Sequence, residues 1–175
     1  MNIIDVHKAF LNDTPRIVAP DYMPTPQDVL MACVRITEVA MERYCIQGTD
    51  FDVYDTGGER SERKKWVQHL DGATAVIFVA AVAAYNQMLA KEKETNRVTE
   101  ALELFCSVCQ NEAFSDVPIF LFLNMKDVFG EKILHSDIAA QTPFCNYKGP
   151  AKDVDDGLCT LFHSKVQGVR NWRLY

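Results

Sequence analysis

The chain has 175 residues, of which 48 % are hydrophobic and 24 % charged, with a formal net charge of -6 at pH 7. This ordinary globular composition argues against disorder, and the acidic balance argues against a general nucleic-acid-binding protein. No apolar run approaches the roughly 20 residues of a membrane span. The 6 cysteines are irregularly spaced within apolar segments, which predicts intracellular free thiols and no disulfide framework.

The N-terminal third predicts a helix, a loop and a β-hairpin. Residues 3–11 are expected to form a short helical stub, without the basic and apolar regions of a secretory signal. The segment VAPDYMPTPQDV, residues 18–29, is rich in proline and is predicted to be extended or loop-like. VAMERYCI and DFDVYD, separated by QGT, are predicted to be two strands joined by a tight turn.

The rest of the chain alternates helical and strand patterns. A charged helix is predicted for residues 60–70, and a helix whose apolar positions recur on one face is predicted for residues 92–110. Shorter helices are predicted for residues 126–134 and 154–166. ATAVIFVAAVA and VPIFLFLN are apolar runs typical of strands buried on both faces, and VRNWRLY predicts a last strand. This alternation indicates an α/β fold with a largely parallel sheet.

Two loops after predicted strands carry the residues that could bind a ligand, because α/β sheets bind ligands at the carboxyl ends of their strands. Asp55 precedes a Thr-Gly-Gly turn, where glycines let the backbone approach a phosphate and the aspartate could hold Mg²⁺ through water. The NMKD loop, residues 124–127, could bind a purine, its carboxylate accepting from the N–H groups of guanine. Taken alone, each pattern also fits an ordinary helix-capping turn.

Longer segments resemble the α subunit of heterotrimeric G proteins. DYMPTPQDVL, GGERSERKKW, YNQMLAKEKETNRVTEALELF, FLFLNMKDVFGEKIL and FCNYKGP occur in that family's order and spacing, over residues 8–150. The resemblance implies an α/β fold that is an incomplete Ras-like (P-loop GTPase) three-layer structure with a mainly parallel sheet. It also implies a transducer that passes receptor signals on through Gβγ and effectors.

The same resemblance predicts the domains and the ligands. Residues 1–22 would be a remnant of the family's helical insert domain with its linker, and residues 23–175 a partial Ras-like GTPase domain. GTP or GDP and Mg²⁺ are the implied ligands, and the matching nucleotide-binding positions are Asp55, Gly57, Gly58, Asn124, Lys126 and Asp127. Asp55, through water, and Thr37 are the implied Mg²⁺ ligands.

The positions that perform hydrolysis depart from the family pattern. The printed sequence has no GxxxxGK[ST] phosphate loop. Cys33 replaces the arginine that stabilises charge on the transferring phosphoryl group, although Arg35 would leave the same face of an extended segment. Ile36 replaces the Mg²⁺-ligating threonine, next to Thr37. Glu59 replaces the glutamine that orients water, and an ionised carboxylate cannot donate. Cys33 and Glu59 are therefore degenerate catalytic positions, and whether the chain is an enzyme stays open.

The helix after the glycine turn matches the family's surface for Gβγ and effectors. The expected interface residues are Arg60, Arg63, Lys64, Lys65 and Trp66. The alternative is that Trp66 packs inward and the charges form a solvated face. The helix with which the family contacts receptors is not matched, so receptor contact is not expected, and neither is binding of nucleic acid.

Three functions remain open at this point. The chain is a G-protein α-subunit-like signal transducer that has lost GTP hydrolysis, a non-enzymatic pseudo-GTPase that binds Gβγ or effectors, or an incomplete gene product. We expect a cytoplasmic protein that reaches the inner face of the plasma membrane through partners, because Asn2 stands where N-myristoylation needs glycine.

The strand order is a further expectation. The family's sheet has the order 2-3-1-4-5-6, and no segment of this sequence matches strand 1. Unpaired buried backbone groups are costly, so the strand at residues 51–55 is expected to pair directly with the strand at 75–80, giving the order 2-3-4-5-6.

Overall fold

The structure, a computed structural model, describes residues 10–32, 39–58, 63, 66, 72–89, 94–138 and 172–174. These contain helices α1 (Thr14–Ile17), α2 (Pro26–Met31), α3 (Arg97–Cys109) and α4 (Lys126–Ile133), and strands β1 (Ala40–Ile46), β2 (Thr49–Asp55), β3 (Val76–Ala81), β4 (Ile119–Asn124) and β5 (Trp172–Leu174). The chain divides into two compact units, Met1–Gly72 and Ala73–Tyr175. The domain boundary after residue 22 stays a prediction.

The first unit contains the predicted hairpin, which is confirmed. β1 and β2 pair antiparallel from Ala40 opposite Asp55 to Ile46 opposite Thr49. Gln47 and Gly48 form the turn with φ values of 52° and 79°, the left-handed backbone that suits a two-residue hairpin turn. Every residue of both strands is exposed. The hairpin therefore places Asp55 at an open strand end, directly before the glycine turn.

The second unit contains a parallel sheet with the order β3-β4-β5, as the α/β pattern predicted. Helix α3 packs on one face of this sheet, where the rings of Phe78 and Phe105 meet edge-to-face at 5.2 Å. The expectation that these strands are buried on both faces is wrong: Ile77 is 65 % exposed, Val79 58 % and Phe122 46 %. The core of this unit therefore lies between the sheet and α3.

The prediction that all the strands form one sheet, with residues 51–55 paired directly with residues 75–80, is also wrong. β2 pairs with β1 in one sheet, and β3 pairs with β4 in another, so the described strands do not form the order 2-3-4-5-6.

Helix boundaries differ from the sequence expectation where capping residues decide them. The proline-rich segment is not extended throughout, because Thr25 and Asp28 form a capping box and Pro26 occupies the first turn of α2, where proline is tolerated. The helix predicted from residue 92 begins at Arg97, since Asn96 accepts from the N–H groups of the first turn.

Other predicted elements lie partly or wholly outside the described residues. These are the helix at 154–166 and most of the helices at 3–11 and 60–70, although Arg63 and Trp66 are helical. The last strand is confirmed as β5. In the described ranges no helix has the length and apolar character that crossing a membrane requires.

Candidate functional site

The NMKD loop lies at the carboxyl edge of the parallel sheet. Asn124 is the last residue of β4 and stands opposite Ala81 at the end of β3, and Lys126 and Asp127 open α4. The side chains of Asn124, Lys126 and Asp127 are all exposed. Within the described ranges the Asp127 carboxylate has no hydrogen-bond or ion-pair partner, so it can accept hydrogen bonds from a ligand.

The backbone of this loop is strained at one residue. Met125 has a φ of 63° and lies in the left-handed region, which a non-glycine residue adopts at a cost. Its N–H donates to Asn124 Oδ1 at 2.9 Å, which also orients the Asn124 amide. The Met125 side chain is 47 % exposed. It therefore remains available for apolar contact with a ligand.

A rigid support holds the NMKD loop in place. Phe129 of α4 is fully buried and packs edge-to-face against Tyr85 at 5.3 Å. Tyr85 donates its hydroxyl proton to the Ser136 carbonyl at 2.7 Å, and burial raises its pKa. Lys132 Nζ donates to the Ala83 carbonyl at 3.0 Å. These contacts tie α4 to the segment after β3, so the start of α4 is anchored while its polar side chains face solvent.

The glycine turn in the first unit is held by two side chains of the following segment. Trp66 Nε1 donates to the carbonyl of Gly57 at 3.1 Å, and Arg63 Nε donates to the carbonyl of Gly58 at 3.4 Å. Asp55 is exposed at the end of β2. A Cβ atom at Gly58 would meet nothing within 4 Å, and its φ is not left-handed. Neither packing nor strain requires glycine there, which leaves room for close approach of a ligand.

Trp66 is half-buried, and its indole N–H is used inside the chain. This contact favours the inward-packing alternative for part of the side chain and leaves part of the ring exposed. The remaining interface candidates Arg60, Lys64 and Lys65 lie outside the described residues. The interface therefore stays a prediction.

The degenerate positions also lie outside the described ranges. They comprise Cys33, Arg35, Ile36, Thr37 and Glu59. Among the described residues no group of three or more His, Cys, Asp or Glu side chains could hold a metal ion. Asp55 is a single exposed carboxylate, and its role as a Mg²⁺ ligand through water stays a prediction. Asn124 and Asp127 offer exposed amide and carboxylate groups on an anchored loop, and their contact with a purine base also stays a prediction.

The two cysteines of CSVC, Cys106 and Cys109, lie inside α3 and are half-buried free thiols. Burial raises the pKa of Cys109 to about 11, so its reactive thiolate is scarce at neutral pH. Their place inside a helix and their burial favour an ordinary structural role over a redox motif.

Sequence reasoning missed a polar cluster between α1 and α2. Arg16 donates to both carboxylate oxygens of Asp28, at 2.9 and 2.7 Å, and Tyr22 donates to Asp28 at 3.2 Å. The signal that could have found part of it is the capping-box spacing from Thr25 to Asp28.

The second unit is an α/β fragment with its polar loop where parallel sheets bind ligands. The family model described as G-protein alpha subunit matches residues 1–171. The chain belongs to the G-protein alpha subunit family, as the sequence resemblance indicated. Membership implies a Ras-like GTPase fold, of which the described residues form a small mixed α/β part with two small sheets.

Two relatives share the name "Guanine nucleotide-binding protein alpha-3 subunit", one from Caenorhabditis elegans and one from Caenorhabditis briggsae. Each is 39 % identical to this chain over 160 residues, which is 91 % of this chain and 44 % of the relative. The chain therefore spans less than half the length of these relatives.

Proposed function

We propose that this chain is a signal transducer of the guanine-nucleotide-binding family, acting in G-protein-coupled receptor signalling without hydrolysing GTP. The observation that carries the proposal is the anchored NMKD loop, whose Asn124 and Asp127 side chains are exposed. The residues that would contact the guanine base are thus retained, while Cys33, Ile36 and Glu59 stand where the family has the residues that perform hydrolysis. The proposal places the protein in the cytoplasm, at the inner face of the plasma membrane when partners bind.

Nucleotide binding is expected to be weak and dominated by the base. Asp127 offers both carboxylate oxygens to the N–H groups of guanine, and these hydrogen bonds do not depend on the phosphates. Calorimetry with guanosine, GDP and GTP in the presence of Mg²⁺ is expected to give affinities within about tenfold of one another, roughly 1.4 kcal/mol.

The variant that tests this titration is Asp127→Asn, which removes the negative charge of the side chain but keeps its size and shape. It is expected to weaken guanosine binding at least tenfold, on the order of 1.4 kcal/mol for a hydrogen-bonded charge. Adenosine should not bind the unchanged chain. GTP binding more than tenfold tighter than guanosine would contradict a base-dominated site, and equal binding by Asp127→Asn would place the nucleotide elsewhere.

The second candidate function is that of a non-enzymatic partner of Gβγ or an effector. Its support is the run RSERKKW, residues 60–66, which follows the glycine turn. Trp66 keeps part of its ring exposed while its N–H fixes the Gly57 carbonyl. Aromatic side chains flanked by basic residues are typical anchors of protein interfaces.

Partner binding is expected to depend on Trp66 and Lys65. Pull-down of purified Gβγ by the chain should fall at least tenfold in the Trp66→Ala, Lys65→Ala double variant, about the effect of losing one hot-spot residue. Trp66→Phe separates the two roles of the tryptophan, because it keeps an aromatic ring but removes the N–H donor to Gly57.

If Trp66→Phe binds Gβγ like the unchanged chain while the double variant does not, the exposed ring and the lysine form the interface. Equal capture by the unchanged chain and the double variant would remove the support for this surface.

A further inference from the structure

Asn96 makes hydrogen bonds in two directions at the start of α3. Its side-chain oxygen accepts from the N–H groups of Val98, at 2.9 Å, and Thr99, at 3.3 Å. Its side-chain amide donates to the carbonyl of Tyr85. Asn96 is 2 % exposed, so both contacts are shielded from water. The first contact needs only an oxygen, which a serine or an aspartate would also supply. The second needs an amide, and the capping of α3 does not account for it.

Tyr85 connects Asn96 to the NMKD loop. Its ring is fully buried and packs edge-to-face on Phe129 of α4, with the ring centres 5.3 Å apart. The N–H of Phe129 donates to the carbonyl of Met125 at 2.9 Å, which is the first hydrogen bond of α4. The Tyr85 hydroxyl donates to the carbonyl of Ser136 at 2.7 Å. Tyr85 is therefore held at both ends, and its ring lies against the residue that closes the NMKD loop.

The NMKD loop needs support from outside itself. Met125 lies in the left-handed region with a φ of 63°, and strained backbone persists only where the surrounding contacts over-determine it. Met125 is also the N-cap of α4, and its apolar side chain cannot cap the helix with a hydrogen bond. The conformation of the loop therefore depends on the packing of α4 against the rest of the second unit, which includes the buried pair of Tyr85 and Phe129.

We propose that Asn96 is a positioning residue for the NMKD loop and acts through Tyr85. Loss of the Asn96 amide would leave the buried Tyr85 carbonyl without its side-chain donor, which favours a shift of the tyrosine. Asn124 and Asp127 would then be held less firmly in one arrangement, and preorganisation of such side chains is what makes a binding site tight and selective. The part of the proposal that concerns guanine rests on the proposed function, whereas the link between Asn96 and the loop does not.

Two substitutions separate the capping of α3 from the contact with Tyr85. Asn96→Asp and Asn96→Ser both keep an oxygen that caps a helix about as well as asparagine, and both remove the amide donor. Asn111→Asp is the matched control. Asn111 caps the short 3-10 helix Glu112–Phe114 by accepting from the N–H of Ala113 at 2.9 Å, so the same change is made at a cap that has no contact with Tyr85.

Hydrogen exchange of the full chain, read by mass spectrometry at neutral pH, tests the link without any nucleotide. In both Asn96 variants residues 125–130 are expected to exchange about tenfold faster, the order of effect of one lost buried hydrogen bond. Residues 102–108 of α3 should change less than about threefold, because the cap is retained. Asn111→Asp should change neither range by more than that. If Asn96→Asp also exposes β4, the chain has unfolded, and Asn96→Ser, which buries no charge, decides.

Calorimetry with guanosine and inosine tests the consequence for the base. Inosine lacks the exocyclic amine from which the second carboxylate oxygen of Asp127 would accept. The preference of the unchanged chain for guanosine over inosine is expected to fall about threefold or more in Asn96→Ser, and to persist in Asn111→Asp. A smaller fraction of folded protein would weaken the apparent binding of both nucleosides equally and would leave this ratio unchanged.

Faster exchange in α3 with an unchanged loop would mean that Asn96 only caps the helix, and it would overturn the proposal. An equal effect of Asn111→Asp on the loop would do the same. A loosened loop with an unchanged preference for guanosine would overturn the positioning role. If the unchanged chain bound neither nucleoside, the proposed function would fail, while the exchange of residues 125–130 would still decide whether Asn96 holds the loop.

Discussion

GTP hydrolysis by this chain is expected to be undetectable above the uncatalysed rate. Cys33 cannot stabilise charge on the transferring phosphoryl group, a role in which an arginine is worth about 10³ to 10⁵ in rate. Ile36 offers no oxygen to Mg²⁺. Glu59, when ionised, repels the γ-phosphate and cannot donate to it. Each loss should remove several kcal/mol of binding or transition-state stabilisation, to order of magnitude.

A single-turnover assay of phosphate release, with and without Mg²⁺, measures this. Asp55→Ala identifies a contaminating GTPase, because contaminating activity would survive the substitution. A triple variant with Cys33→Arg, Ile36→Thr and Glu59→Gln shows whether these three positions limit GTP hydrolysis. If they do, the triple variant releases phosphate and the unchanged chain does not. Mg²⁺-dependent release by the unchanged chain that Asp55→Ala abolishes would refute the expectation.

The elements that local chemistry decides were predictable from sequence. The turn at Gln47 and Gly48 has a glycine, which readily adopts left-handed backbone, between two segments with strand patterns. The apolar runs at β3 and β4 indicated a parallel sheet. The prolines of residues 18–29 indicate extended chain, but the capping box of Thr25 and Asp28 starts α2 there, with Pro26 in its first turn. The order of strands in space depends on long-range pairing, which no local pattern contains.

The candidate site was predictable to a similar extent. Sequence placed Asn124 and Asp127 on a loop after a strand, and the structure shows that loop at the sheet edge. The direction of Trp66 could not be read from its neighbours, since it depends on whether the Gly57 carbonyl is within reach. Likewise, 18 basic and 24 acidic residues allow many pairings. Only the fold of the intervening segment brings Arg16 to Asp28.

Phe105→Ala is expected to destabilise the second unit by about 3 to 5 kcal/mol, the usual cost of truncating a buried phenylalanine. Phe105 lies on α3 with 0 % exposure and meets Phe78 of β3 edge-to-face at 5.2 Å. The substitution leaves a cavity between α3 and the sheet and removes that aromatic contact. Such a loss is a large part of the 5–15 kcal/mol that typically stabilises a domain.

Urea unfolding followed by far-UV circular dichroism, at low protein concentration, measures the difference in unfolding free energy. Phe122→Ala is the matched control, because it deletes the same ring from a side chain that is 46 % exposed. It should cost about 1 kcal/mol, since roughly half of its surface already contacts water. The ratio of the two effects is the informative result. Equal losses would mean that α3 does not cover the core face of the sheet, whereas a smaller loss for Phe105→Ala would mean that Phe122 faces the better-packed side.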